Sequence, residues 1–370
     1  MPQPTAQPIS SKSMATLSRL LLSKHAGDVS VQSNPALSSE IIGISRDEFA
    51  DLVTLANSNH VVVRGFEIAL KIFQDAQDGT RVEWTEAALA AERARIKDAI
   101  PFLHAICSAF EEQGLDITVI KSLDHWPDLG SDLDLYSNAP PEQVASLMKR
   151  RFQAELAARS WGDRLACKWN FLIPGLRESV EIHVGRLGQT GEQITLANRL
   201  MGRTRLIRIE DYSFRVTSPS DRLMISTLQR MYRHFYFRLC DVVDSAALVE
   251  SGAVDYDDLR YSATACGIWE GVATYLAIVS DYMKQYRGTG LDLPRFVRES
   301  SKFGGEEIFF RKDFLRVPIM PQSASLYGTQ LTGLLRKREL HSSARLSLLP
   351  WLATAAAVGQ KITGSDKDIW

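Results

Sequence analysis

Two aspartates separated by one residue are the first candidates for chemistry, in residues 117–138, ITVIKSLDHWPDLGSDLDLYSN. Apolar residues alternate with Asp132 and Asp134, and this period of two is typical of a β-strand with both carboxylates on one face. Because like charges repel each other, a cation between the two carboxylates would stabilise such a strand. Mg²⁺ is usually bound by one or two carboxylates together with substrate phosphates. The pair alone is weak evidence, since a D-x-D arises by chance about once in a chain of this length.

A second alternating segment, residues 179–184, places Glu181 and His183 on one face of a predicted strand. If this strand lies beside the first, Glu181 completes a cluster of three carboxylates able to hold two divalent ions, Mg²⁺ or Mn²⁺. His183 would then orient Glu181 or contact substrate, although an ordinary hydrogen-bonded strand histidine explains it equally well. The strand predicted over residues 165–173 adds Lys168 as a further candidate.

A turn before the first aspartate contains Ser122. A hydroxyl group and backbone N–H groups in a tight turn can bind phosphate oxygens. The sequence therefore combines a predicted phosphate site with predicted metal ligands.

These motifs resemble those of the DNA polymerase β-type nucleotidyltransferase superfamily, and more closely its branch of uncharacterised bacterial nucleotidyltransferases. That branch typically has apolar-Lys-Gly, a loop, Asp-apolar-Asp-apolar and then apolar-Glu-apolar-His, similar to residues 120–122, 132–135 and 180–183. The resemblance implies that the three carboxylates bind metal and are catalytic. It also implies an NTP substrate, with phosphate contacts near Ser122.

One departure from the superfamily pattern concerns the turn. Many members have Gly-Gly or Gly-Ser there, whereas this chain has Lys121-Ser122. Lys121 would either reach the triphosphate or mark a weakened site. Gly130 and Ser131, in the loop before the aspartates, complete the predicted nucleotide-binding set on this side.

A helix predicted over residues 220–251 supplies the other nucleotide-binding candidates. Steps of four, four and three residues place its candidates on one stripe of the helix: Arg230, His234, Arg238 and Asp241. Guanidinium groups match phosphate geometry, so this stripe could bind a triphosphate or an anionic acceptor. The alternative is a solvated face with a surface Arg238–Asp241 pair, which would contribute little stability.

Composition restricts the remaining functions. The 370 residues include 43 basic and 44 acidic ones, so a long nucleic-acid track is not favoured, with tRNA as the exception kept open. The cysteines form no C-x-x-C motif, which argues against structural zinc and for a reducing compartment: Cys107, Cys167, Cys240 and Cys266. No signal-peptide pattern begins the chain, and we therefore expect a cytoplasmic protein without a transmembrane segment.

The fold class predicted from these patterns is α+β, a small mixed sheet with helices on one side. A mobile N-terminal tail (1–40) and a helical scaffold (41–114) precede the catalytic core (115–217), and a helical C-terminal domain (218–370) follows. Within that last domain, the apolar segment 347–358 is expected to pack against other helices. A membrane-surface contact is the weaker interpretation.

The leading functional hypothesis is transfer of an NMP from an NTP to a hydroxyl acceptor with release of pyrophosphate. The acceptor is left open among a small molecule, a peptide, a protein and tRNA, and the oligomeric state is also open. The alternative is a non-catalytic nucleotide-binding regulatory module on the same fold, for which Lys121 is the best support.

Overall fold

The computed structural model describes residues 11–22, 35–352 and 354–355. Helices of the described residues are, in chain order, α1 (Ser11–Leu22), α2 (Pro35–Ile42), α3 (Arg46–Ser58), α4 (Val62–Asp75), α5 (Gly79–Glu112), α6 (Pro141–Phe152), α7 (Trp161–Ala166), α8 (Ile194–Met201), α9 (Pro219–Thr227), α10 (Leu239–Glu250), α11 (Tyr256–Ala265), α12 (Trp269–Arg287), α13 (Arg295–Ser300), α14 (Ala324–Arg336) and α15 (Leu340–Ser347). Two further turns border the site: a 3-10 turn, Ser122–His125, and a π-helical turn, Leu228–His234.

The strands form two sheets. They are β1 (Thr118–Val119), β2 (Asp132–Ser137), β3 (Glu155–Leu156), β4 (Lys168–Leu172), β5 (Ser179–Val184), β6 (Thr204–Ile209), β7 (Tyr212–Thr217), β8 (Tyr236–Phe237), β9 (Phe309–Arg311) and β10 (Phe314–Arg316). The larger, seven-stranded sheet has the order β3-β4-β5-β2-β1-β7-β6, and the smaller one has the order β8-β10-β9. In the larger sheet β2 runs parallel to β5 and β1 parallel to β7, whereas the other neighbours are antiparallel. The predicted α+β class with a mixed sheet is therefore confirmed.

The register of the central strands follows from their apolar face. Leu133 and Leu135 on β2, and Val180 and Ile182 on β5, are completely buried. A shift of one residue would move every one of these side chains to the opposite face, so burial specifies the pairing strongly. The polar faces of both strands consequently point the same way, with the carboxylates adjacent.

The N-terminal segment contains a buried helix where the sequence predicts a mobile tail. In α1, Met14, Leu17 and Leu21 are at most 5% exposed, so their burial against the core stabilises the helix. The Ser18 hydroxyl also shares a hydrogen bond of 2.7 Å with the hydroxyl of Tyr282 on α12. The remainder of the predicted tail in residues 1–10 and 23–34 lies outside the described residues, and the domain boundaries stay predictions.

The prediction of a single helix over residues 220–251 is wrong in the middle of that range. After α9 the chain passes through the π-helical turn and β8 before α10 begins. Phe235 has a left-handed φ of 53°, and its carbonyl accepts a hydrogen bond of 2.9 Å from the amide of Val317. Pairing with β10, about 80 residues later in the sequence, interrupts the helix, and periodicity within the segment does not reveal such a partner.

The C-terminal apolar segment is only partly described. Leu346 is buried, but Leu348 and Trp351 are 42% and 76% exposed, so the described part of this segment packs less closely than predicted. Residues 353 and 356–358 of this segment lie outside the described residues. Among the helices that the structure describes, none combines the length and the apolar character required to cross a bilayer.

Candidate active site

The carboxylates predicted to bind metal meet where β2 and β5 run side by side. Asp134 lies directly opposite Glu181 in the parallel register. With His183 they form a group whose candidate ligand atoms all lie within 4.8 Å of one another. Asp132 lies at the edge of this group, and its Oδ1 accepts a hydrogen bond of 2.6 Å from the Ser179 hydroxyl. The predicted cluster thus has a tight centre of two carboxylates and a histidine, with Asp132 beside it.

Two lysines already contact these carboxylates. The Lys121 ammonium forms an ion pair with Asp134 and lies 3.7 Å from Glu181 Oε1. Lys168 Nζ lies 2.5 Å from Glu181 Oε2. Lys121 also has a φ of 66°, a left-handed conformation that glycine adopts at little cost. A lysine therefore occupies a backbone position suited to glycine, and its side chain reaches the centre of the acidic group.

The two central carboxyl groups differ in their pKa. Burial raises the pKa of Asp134 to about 7, and the charges of Glu181 and Asp132 add to the increase although Lys121 opposes it. Burial also acts to raise the pKa of Glu181, but Lys168, Lys121 and His183 outweigh it and hold that pKa well below its ordinary value. Glu181 is consequently ionised at neutral pH, whereas Asp134 keeps its proton to a higher pH than an ordinary aspartate does.

His183 is fixed by Glu181 and remains neutral. Its Nε2 lies 2.8 Å from Glu181 Oε1, and burial lowers its pKa to about 4. The carboxylate only accepts hydrogen bonds, so Nε2 carries the proton and Nδ1 is an acceptor. This buried Nδ1 has no hydrogen-bond partner.

The carboxylates line a cavity of about 160 Å³, which we call the central cavity. Its walls bring together most of the predicted site residues: Lys121, Ser122, Gly130, Ser131, Asp132, Asp134, Glu181, Arg230, His234 and Arg238. Acidic groups from the sheet thus face basic groups from the segment 228–238. This arrangement places potential metal ligands opposite potential phosphate ligands.

The basic residues of the central cavity include guanidinium nitrogens that have no hydrogen-bond partner. Arg230 is 2% exposed, and its Nη1 has no hydrogen-bond partner. The Nε of Arg238 is likewise buried and unpaired. An unpaired buried donor of a charged group costs stability, so these atoms are poised to donate to an anion. Burial, together with the charge of Arg233, lowers the pKa of His234 well below its ordinary value, so this histidine is neutral in the cavity.

Asp241, by contrast, does not line the central cavity. Its Oδ2 lies 2.7 Å from Arg230 Nε and accepts a hydrogen bond of 2.7 Å from the backbone amide of Arg238. The residue therefore neutralises one buried arginine and caps the start of α10. The prediction that these four residues share one stripe of a single helix is therefore wrong, because the π-helical turn and β8 separate the residues that the periodicity aligned. The alternative prediction, a surface Arg238–Asp241 pair, is wrong for the same reason.

Ser122 joins the turn that contains it to β2 through hydrogen bonds. Its hydroxyl accepts a hydrogen bond of 2.7 Å from the amide of Asp134 and donates one of 3.2 Å to the carbonyl of Asp132. Its own amide donates to Ile120 at 2.8 Å. The predicted phosphate contact through this hydroxyl and amide is therefore not available, because both are used to position the aspartate strand.

Several residues of the central cavity were not singled out from the sequence: His60, His125, Gln229, Arg233 and Tyr236. Arg233 does not belong to the stripe predicted from residues 230–241, but it lies in the π-helical turn and lines the cavity. His60 comes from the scaffold before α4 and lies 2.5 Å from Arg238 through Nε2. Only the excess of cationic residues in 230–238 could have indicated Arg233, and no local signal indicated His60.

The donor set of the acidic group is compatible with a divalent cation. Carboxylate oxygens suit Mg²⁺ and Mn²⁺, and a histidine nitrogen beside them is compatible with Mn²⁺. Burial and the neighbouring carboxylates raise the pKa of Asp134 although Lys121 opposes them, so a further cation would stabilise its charged form. Asp132, Asp134 and Glu181 are the residues that would hold the metal, in competition with Lys121 and Lys168.

Comparison with known proteins gives no match among protein-family models or curated proteins. Among solved structures, the chain is similar to an antigenic nucleotidyltransferase-like protein from Paracoccidioides brasiliensis, at 13% identity and a TM-score of 0.33 over 52% of this chain and 94% of that one. It is also similar to a tRNA-processing enzyme, at 12% identity and a TM-score of 0.24 over 71% of this chain and 77% of that one. At these scores, any functional assignment has to rest on the site itself.

Proposed function

We propose that this protein is a nucleotidyltransferase that moves an NMP from an NTP to a hydroxyl acceptor, with pyrophosphate as the other product. The observation that carries the proposal is the central cavity itself. One wall presents Asp134 and Glu181 in adjacent strand positions, and the facing wall presents the unpaired guanidinium nitrogens of Arg230 and Arg238. A triphosphate with its counter-ions has the charge pattern that this cavity complements.

Each wall has a separate role in the proposed reaction. Divalent ions, when bound by the carboxylates, would neutralise the triphosphate and activate the acceptor hydroxyl. Arg230, Arg233 and Arg238 would bind the phosphate oxygens and hold the triphosphate in the orientation required for transfer. His183 keeps Glu181 oriented through the hydrogen bond at 2.8 Å. The acceptor remains a hydroxyl of a small molecule, a peptide, a protein or tRNA.

A second candidate function is favoured by one observation: Lys121 contacts both central carboxylates, and Lys168 contacts Glu181. Internal ammonium groups compensate part of the carboxylate charge without a metal. We therefore keep a non-catalytic nucleotide-binding module as the alternative. Such a module would bind NTPs equally well with and without Mg²⁺, whereas the enzyme would bind them more tightly with Mg²⁺.

Transfer is tested with each α-³²P-labelled NTP, Mg²⁺ and a host-cell lysate fractionated into RNA, protein and small molecules. We expect label in one fraction with the wild type and none with Glu181→Gln. The matched control is Asp211→Asn, which removes an exposed carboxylate far along the sequence from the acidic pair. Label that persists in Glu181→Gln contradicts the assignment, provided that circular dichroism shows both variants folded.

NTP binding is measured in the same preparations. Binding that tightens with Mg²⁺, even without labelled product, keeps the enzyme hypothesis and indicates an acceptor absent from the lysate. Binding that ignores Mg²⁺, together with no transfer, supports the non-catalytic module instead. No NTP binding under either condition refutes both candidates.

A further inference from the structure

A second, smaller cavity adjoins the central cavity. We call it the side cavity, and its apolar lining is Ile120, Leu187, Ile225 and Leu228. Three residues line both cavities, so the two are neighbours that share part of their walls: Lys121, Gln229 and Arg233. A nucleotide whose phosphates lie against Arg233 in the central cavity therefore has an apolar space within reach of its other end.

Two buried acceptors without partners border the side cavity. They are Oε1 of Gln189 and Nδ1 of His183, and both residues belong to its lining. An acceptor buried without a hydrogen bond destabilises the folded state. Such atoms in a folded protein point to a missing donor, and both belong to residues that line the side cavity.

The loop that carries Gln189 is rigid for identifiable reasons. Gly188 has a φ of 89°, and a Cβ atom there would lie 2.3 Å from the carboxylate of Glu192, so any other residue would be strained and would displace that carboxylate. That buried carboxylate accepts hydrogen bonds from the amide and the hydroxyl of Thr190, at 3.0 and 3.1 Å. The amide of Gln193 closes the loop by donating to the carbonyl of Leu187 at 3.0 Å. Gln189 is thereby held between fixed neighbours, as a recognition residue has to be.

We propose that the side cavity recognises the nucleobase of the bound NTP, and that Gln189 and His183 accept hydrogen bonds from an exocyclic amino group on the edge of that base. This inference rests on the proposed function, because it places the phosphates in the central cavity. It narrows the proposed NTP substrate to an adenine or a cytosine nucleotide, in preference to a hypoxanthine or a uracil nucleotide.

Size and chemistry both support a base edge as the occupant. The side cavity offers about 40 Å³, enough for roughly three water-sized groups, so it admits an edge and its substituent and not a whole purine. The apolar lining suits the flat carbon framework of the base. Adenine and cytosine present an amino donor at the position where hypoxanthine and uracil present a carbonyl oxygen. With the Gln189 amide in the orientation of this structure, an oxygen facing its Oε1 would leave both acceptors unpaired.

Two pairs of nucleotides that differ at this position test the proposal: ATP against ITP and CTP against UTP. Their dissociation constants are measured by titration calorimetry with Mg²⁺. We expect the wild type to prefer the amino member of at least one pair by about tenfold or more. In Gln189→Met, which keeps the length of the side chain and removes the acceptor, the ratio should fall to about threefold or less.

The control is Gln322→Met. Gln322 also has a buried, unpaired Oε1, but it lines neither the central nor the side cavity. It should keep the wild-type ratio. Equal affinities within both pairs in the wild type, a preference for ITP or UTP, or a ratio unchanged in Gln189→Met would each overturn the inference while leaving nucleotide transfer intact. Failure of the wild type to bind any NTP would instead refute the proposed function, and the inference with it.

Discussion

Replacement of Lys121 by methionine separates the role of its ammonium from that of its backbone. Methionine has a similar length and apolar volume, and at a φ of 66° it meets the same left-handed penalty as lysine. A glycine variant would relax the backbone as well and confuse the two effects. We predict that Lys121→Met binds Mn²⁺ more tightly than the wild type, because the ammonium no longer competes for Asp134 and Glu181.

The magnitude follows from the distances. A unit charge 3.7 Å from Glu181 Oε1 interacts with it by about 4 kcal/mol at an effective dielectric constant of ~20. Only part of this appears in metal affinity, because Asp134, whose pKa is already about 7, binds a proton more readily once the lysine is gone. We therefore expect Mn²⁺ binding to tighten by about tenfold to a hundredfold, or roughly 1.4–2.8 kcal/mol.

Free Mn²⁺ is measured by electron paramagnetic resonance in a titration without nucleotide, so that no catalytic activity enters the result. The control, Lys149→Met, removes an exposed lysine on α6 and should leave Mn²⁺ affinity unchanged. Equal affinities in Lys121→Met and the wild type would show that the ammonium does not occupy a cation position. Weaker binding in Lys121→Met would refute the electrostatic argument altogether.

Three further predictions concern stability. The pKa of Asp134 is raised from 3.8 to about 7, so between these two pH values the folded state holds a proton that the unfolded chain releases. The stability that this residue contributes is therefore lost as the pH rises through that window. The wild type should therefore lose about 3 kcal/mol in free energy of unfolding from pH 5 to pH 8 relative to Asp134→Asn, as measured by urea titration, and a pH-independent difference would contradict this. Gly188→Ala should lower the melting temperature by several degrees more than Gly185→Ala, since both positions have a positive φ but only the first brings a Cβ atom against Glu192. Equal losses in the two alanine variants would mean that the carboxylate moves aside. Asp241→Ala should cost about 3–5 kcal/mol in urea unfolding, because it leaves a buried guanidinium unpaired, and a cost below about 1 kcal/mol would show that water reaches this arginine.

The local parts of the site were predictable from the sequence. Alternation places Asp132 with Asp134, and Glu181 with His183, on one face of each strand, and burial of Leu133 and Val180 leaves these faces no alternative orientation. The mixed α+β fold follows from the same patterns. These features depend on neighbours within a few residues, where the period of the backbone determines which side chains share a face.

Tertiary structure decided which groups surround the carboxylates. The Lys121 ammonium reaches Asp134 because its turn folds back over β2, and the left-handed φ that permits this contact has no signature in a lysine. The segment 228–238 faces the acidic group because β10 interrupts the predicted helix, and β10 is distant in sequence. The charge balance of the site and the lining of its cavity arise from contacts between segments far apart in the chain. The pattern within a single segment carries no information about such contacts.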